Sequence, residues 1–296
     1  MMRQGIGWPI WLALFAVWTG LFLVYPFLIV LKISLAESIL ARPPYTPLFA
    51  RGGDGWSGLA TLDNYVMLVG DDLYLRSLLN SLRLAAIATV LALALALPMA
   101  HAIARAPARW RGLLLILVLL PLWVSFLIRV YAWIAILKPE GLLNAALLAL
   151  GAISTPLTLL GTDAAVVIGL VYSYLPFMLL PIYASFARLD PALGEAAADL
   201  GATASEAFWR VLLPAARPGV IAGCLLVFIP AVGEAIIPDL LGGAGTVMIG
   251  KTLWTEFFQN RDWPLASAVA VALLLLLLGP VLWAERRQAT MIGGGP

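Results

Sequence analysis

Two charged side chains stand inside apolar runs of this sequence: Arg129 in PLWVSFLIRVYAWIAIL and Glu234 in FIPAVGEAIIPDLLGG. A charge at the centre of a membrane costs about 2.5–3.5 kcal/mol on insertion scales, so it is retained where it pairs or faces a polar path. Two readings follow. Arg129 and Glu234 lock two helices as an ion pair, or Glu234 lines a path taken by a cation. Pro230 and Gly233 ahead of Glu234, and Pro238 behind it, loosen the local helix and favour the path. Tyr131, Trp133 and Tyr174, with Trp123 and Tyr172, offer ring faces to a cation. Such rings also serve as interfacial anchors and as packing. Arg83, near the end of another apolar run, can snorkel.

Gly245 to Thr252 reads GTVMIGKT and satisfies the phosphate-loop pattern G-x-x-x-x-G-K-[ST]. That chemistry needs a strand before the loop and a helix after it, in a nucleotide domain. Here the loop follows an apolar run and carries Val247, Met248 and Ile249, so no nucleotide site is expected in this chain. The single histidine, His101, cannot build a metal site alone, and the single cysteine, Cys224, reads as packing. No stretch gathers a nucleophile, a base and metal ligands. No catalytic, cofactor-binding or metal residue is assigned, and the chain does not read as an enzyme.

The elements that hold these residues follow from composition. Of 296 residues, 62% are hydrophobic and 11% charged, against about 25% charged in soluble domains. This is an all-α polytopic membrane protein, and a net charge of +2 gives no footprint for nucleic acid. Six segments approach the roughly 20 apolar residues a span needs. They run from Trp8 to about Leu31 with a kink at Pro26, and from about Ser77 to Ile103, Gly112 to Leu137, Ala164 to Phe186, Gly219 to Ile237 and Pro264 to Trp283. The first is too long for a signal-peptide core and lacks a small-residue cleavage site, so it reads as a retained span. Residues 36–76 form a polar loop with a Gly-rich stretch, Arg51 to Gly58, and a short helix at Leu62 to Val69. That loop is either a cap over an external mouth or a tolerated insertion.

Basic residues set the orientation. Arg105, Arg109, Arg111, Arg188, Arg210, Arg217, Arg286 and Arg287 fall on one side, with Arg3, against Lys138, Lys251 and Arg261 on the other. Both termini and the loop at 188–218 are therefore expected to be cytoplasmic.

That loop holds EAAADLGATASEAFWRVLLPAARP, Glu195 to Pro218. Asp190 and Pro191 suit a helix start, Gly201 suits a sharp turn, and Pro214 and Pro218 punctuate the entry to the next span. The set Glu195, Ala196, Ala197, Gly201, Val211, Leu213 and Pro214 resembles the EAA signature of permease subunits of ABC importers, with Val211 where Ile is usual. The resemblance implies a coupling helix that docks into an ATPase subunit. It implies a MetI-like five-span core over 77–284, with a peripheral first helix at 1–35 and a cytoplasmic tail at 285–296.

Further stretches are similar to the spermidine/putrescine permease family: Leu78 to Ala85, Pro121 to Leu137, Gly141 to Asn144, Phe228 to Gly243, Met248 to Phe258 and Trp263 to Ala268. The resemblance implies a second permease subunit, two ATP-binding cassette subunits that bind ATP and Mg, a periplasmic solute-binding protein, and a bacterial inner-membrane location. It favours polyamines. Related permeases carry other small charged solutes, including aminophosphonates and ferric iron. A stand-alone secondary transporter is the rival from another class, and the absence of an inverted repeat and the EAA spacing count against it.

Overall fold

The structure is a computed structural model and describes residues 7–52 and 55–292. Arg3, residues 53–54 and the last four residues of the tail lie outside the described residues.

In chain order, α1 (Gly7–Thr19) passes through a π-turn (Gly20–Val24) into α2 (Tyr25–Ser34). A wider π-turn lies just ahead of Pro26, a residue with no N–H to donate. Strands β1 (Phe49–Gly52) and β2 (Gly55–Gly58) make an antiparallel hairpin within the polar loop, which the Gly-rich composition had not announced. Then come α3 (Asp63–Gly70) and the long α4 (Asp72–Arg105), followed by α5 (Ala108–Leu119), a 3-10 turn (Leu120–Trp123), α6 (Phe126–Leu137) and α7 (Leu142–Ala149). Next is α8 (Asp163–Ala187). A run of short pieces follows it: α9 (Ala192–Asp199), α10 (Ala204–Ala207), a π-turn (Phe208–Leu212) and α11 (Leu213–Ala215). The chain closes with α12 (Arg217–Val232), α13 (Ile236–Leu241), α14 (Ile249–Trp254), a further π-turn (Thr255–Asn260) and α15 (Trp263–Ile292).

Among the described residues four helices are long and apolar enough to cross a membrane unaided, and up to six spans result if each bent pair counts as one. Two expectations of continuous spans are corrected. The third segment breaks, its two arms meeting at 89°. Pro121 cannot donate to a preceding carbonyl, the chain tightens into the 3-10 turn, and Val124 and Ser125 go extended before α6 begins. The fifth segment stops at Val232, and Gly233, Glu234 and Ala235 separate it from α13.

The chain divides into two compact units. One comprises Met1–Leu75 with Leu253–Leu276. In it, the Asn64 side-chain amide donates to the carbonyls of Ser34 (3.0 Å) and Ala36 (2.8 Å). The buried Glu256 carboxyl accepts from the Tyr74 hydroxyl (3.0 Å) and the Asn260 amide (2.8 Å).

The other unit, Arg76–Thr252 with Leu277–Pro296, holds the larger core. One face of α4 is a buried alanine stripe at Ala85, Ala88, Ala92, Ala96 and Ala100. Its lower part shares a core with Met178, Leu179, Ile182 and Phe186 of α8, Val227 of α12, and Leu212 and Ala216. The α8–α12 contact rests on a Gly-x-x-x-Gly pair. A Cβ on Gly219 would overlap the Pro181 carbonyl and the Ser185 hydroxyl, and one on Gly223 would lie 2.9 Å from the Met178 carbonyl. Small residues of this kind let two helix backbones approach in lipid, where no hydrophobic force drives association. Gly223→Val is expected to cost about 1–3 kcal/mol by overpacking, read as a lower midpoint of thermal unfolding in detergent. Gly245→Ala, where a Cβ meets nothing within 4 Å, is the neutral control.

Candidate functional site

The segment between α8 and α12 has an inner and an outer surface. Asp190 accepts from the Ala192 N–H (2.9 Å) and so caps α9. The helix ends in a Schellman arrangement: the Gly201 N–H donates to the Ala198 carbonyl (2.8 Å) and the Ala202 N–H to that of Ala197 (3.0 Å). Gly201 takes φ +84°, a left-handed conformation that favours glycine, and a Cβ there would meet nothing within 4 Å. Thr203 and Glu206 then form a capping box. The Thr203 N–H and hydroxyl hold the Glu206 carboxyl below its usual value near 4.5. A carboxyl whose pKa is lowered on folding stabilises above its ordinary value and loses that effect as pH falls through the lowered one, so this cap is fully made at neutral pH. The T-x-x-E spacing is a signal for this box that can be read from the sequence alone.

Of the EAA residues, Glu195 and Ala196 are exposed, Ala197 is buried, Gly201 is exposed, and Leu213 and Pro214 are half-buried. Ala197, Ala207, Leu212 and Ala216 face inward. Leu193, Leu200 and Trp209 stay exposed, Leu200 at 90% and Trp209 at 59%.

The second cluster lies at the break in the fifth segment. Glu234 sits between α12 and α13, where it accepts from the N–H groups of Ala235 (3.1 Å) and Ile236 (3.0 Å) and from the Tyr174 hydroxyl of α8 (2.6 Å). The break is seated by close backbone approaches. A Cβ on Gly250 of α14 would overlap the Gly233 carbonyl and come within 2.6 Å of that of Glu234, and one on Gly169 would come within 2.6 Å of Leu241. The structure therefore brings Glu234 and Tyr174 together. It does not form the Arg129–Glu234 ion pair, and no basic side chain among the described residues pairs with Glu234. Arg129 lies in the first turn of α6, its guanidinium 5.5 Å from the Phe126 ring, with Nε and Nη1 buried and without hydrogen-bond partners. The break at Ser125 re-aims α6, which is why a continuous-helix reading could not place Arg129. Trp133 packs edge-on against Tyr172 at 5.4 Å, while Tyr131 and Trp123 are exposed.

Arg83 has a partner for its exposed guanidinium. It pairs with Asp163 in the first turn of α8, whose other oxygen accepts from the Thr246 hydroxyl (2.6 Å). This cluster was missed because its members are distant in sequence. The GTVMIGKT stretch is no phosphate loop. Its Met248 is fully buried, the Ile249 N–H is spent on the Ser81 hydroxyl (2.8 Å), and Lys251 pairs with Asp239 (3.1 Å).

A short-helix segment packed onto the core ahead of α12, and a helix break holding a carboxylate behind it, are the two features that set this chain apart. Residues 9–284 match the family of binding-protein-dependent transport system inner membrane components. The chain belongs to this family. It is 40% identical over 260 residues to the spermidine/putrescine transport system permease protein PotB of Haemophilus influenzae, covering 88% of this chain and 86% of that one. Among solved structures, a chain of a bacterial alginate ABC transporter, crystallised with its pentasaccharide-bound periplasmic protein, superposes with TM-score 0.74 at 18% identity. That match covers 97% of this chain and 96% of the other. The inward-facing MetNI methionine ABC transporter gives TM-score 0.56 at 18% identity, over 72% of this chain and 94% of that one. These likenesses bear out the expected MetI-like, all-α fold. Members of this inner-membrane family are permeases and not enzymes.

Proposed function

We propose that this permease carries polyamines of the spermidine and putrescine class into a bacterial cell, driven by ATP bound with Mg on partner subunits. The observation that carries the reading is the Glu234 carboxylate, placed in a break between two helix ends and bonded by neutral donors alone. An uncompensated negative charge at membrane depth suits a cationic solute. The name and similarity of the Haemophilus relative support the same solute. A second permease subunit completes the pore, two ATPase subunits dock on the segment around Gly201, and a periplasmic protein delivers the solute. The chain lies in the inner membrane with both termini in the cytoplasm.

Vesicles holding the assembled complex should take up labelled spermidine only with ATP, and unlabelled putrescine should compete. ATP-independent uptake, or indifference to both polyamines, overturns the reading. Orientation has its own test. In a Cys224→Ala background, Gly245→Cys is expected to react with an impermeant thiol reagent added outside spheroplasts, and Ala108→Cys is not. Gly245 suits the probe because it is exposed with open space at its Cβ, whereas a Cβ on neighbouring Gly243 would overlap the Gly161 carbonyl. The reverse labelling pattern would place the docking segment outside and remove its partner.

A further inference from the structure

Four aromatic rings connect the exposed surface of the docking segment to the membrane core. Trp209, largely exposed, stands edge-on to Phe208 at 5.2 Å. Phe208 stacks on Phe186 at the end of α8 (6.0 Å) and lies edge-on to His101 of α4 (4.9 Å). His101 closes the set on Phe186 at 5.1 Å. Phe208 opens the π-turn at Phe208–Leu212, a rare geometry often found at functional positions. Phe186, Leu212 and Ala216 are buried in the same cluster as Ala96 and Ala100, with Phe208 packed against it.

We infer that His101 is a positioning residue for coupling: its ring, clamped between Phe208 and Phe186, ties movement of the docking segment to α4 and α8 together. The inference rests on the reading of this segment as the ATPase-docking element. Rings are suited to the task. A flat, rigid ring on only two rotatable bonds, held by edge and face contacts, transmits displacement well, because packed interiors have low compressibility. Trp209 meets the partner, Phe208 carries the push through the π-turn, and His101 and Phe186 receive it on two spans at once. Without the ring of His101, Phe208 would lose its ring contact to α4 and keep the one to α8.

The test uses the complete complex with both permease subunits, the ATPases and the loaded binding protein. His101→Ala is expected to assemble with the ATPases yet lose about tenfold in uptake per complex, within the range of ordinary coupling energies. Its ATP hydrolysis should no longer rise on addition of loaded binding protein. His101→Phe, which keeps a ring, should restore both to within about twofold. If His101→Ala fails to assemble, Phe208→Leu carries the same expectation, since it keeps apolar volume and removes the ring. Native uptake and native stimulation in His101→Ala or Phe208→Leu overturn the inference. So does equal loss in His101→Phe. Trp209→Asp separates the two levels: it should abolish ATPase co-purification, and retained co-purification overturns the docking reading beneath the inference.

Discussion

Glu234→Gln is expected to reduce polyamine uptake about 10- to 150-fold per assembled complex while leaving assembly with the ATPases intact. The substitution is close to isosteric, and the structure shows how it can keep every hydrogen bond. The amide oxygen takes the place of the atom that accepts from Ala235 and Ile236, and the amide nitrogen faces the Tyr174 hydroxyl, which turns to accept. Only the negative charge is lost. Hydrogen bonds to charged groups contribute about 1.5–3 kcal/mol, which gives the stated range for one contact to a cationic solute. Tyr174→Phe removes a single neutral donor and should cost far less. Adding Arg129→Gln to Glu234→Gln should restore nothing, because the two side chains are not partners here. The measurement is labelled-spermidine uptake normalised to complex recovered by pull-down. Native uptake by Glu234→Gln would reject the pathway role, and recovery in the double variant would reinstate the ion pair.

Gly201→Asp is expected to abolish uptake while the chain still reaches the membrane. Two effects of a side chain at this position can be told apart. A left-handed conformation costs an L-residue roughly 1–2 kcal/mol, but Asp and Asn are the side chains that bear it best. The chain's own atoms leave the space open. The turn therefore survives, and the new carboxylate points into whatever lies against the exposed surface formed by Leu200 and Trp209. The loss should show as failed co-purification of the ATPases, with membrane levels of the chain unchanged. Gly201→Ala, small and neutral, should retain part of the activity. Undiminished ATP-driven transport by Gly201→Asp would mean that this turn touches no partner.

Most spans, and the start and turn of the segment between α8 and α12, were legible because each depends on local pattern. Three of the expected spans lie within single continuous helices, α4, α8 and α15, and the Asp190 start and Gly201 turn stand where capping chemistry puts them. The breaks were less legible, for a physical reason. Pro98, Pro176, Pro181 and Pro280 all lie inside unbroken helices, whereas the helix ends close behind Pro121 and Pro230. Proline deletes one donor in every case. Whether the helix then parts depends on what can seat the exposed backbone, and for α13 the seat is made by Gly169 and Gly250, far away in the chain. Distance in sequence also hid the partners of Glu234 and Arg83. Tyr174 and Asp163 were visible as residues, but nothing local assigned them. The Gly219–Gly223 pair and the Thr203–Glu206 box are different. Both spacings carry their mechanism in the sequence itself.

A helix packed through alanines has no knobs to unlock. Along α4 the buried contacts at Ala85, Ala88, Ala92, Ala96 and Ala100 are single methyl groups, with no rotamer to change when the surface against them slides. Leucine at the same positions would interdigitate, and each small displacement would have to climb out of one packing minimum before reaching the next. Such a stripe suits a bearing surface: it holds one face of α4 in the core and would offer little friction to a shear of α4 against its neighbours. Stability and ease of motion are thus met by the same side chain, and enlarging any one of these alanines should slow the cycle before it unfolds the protein.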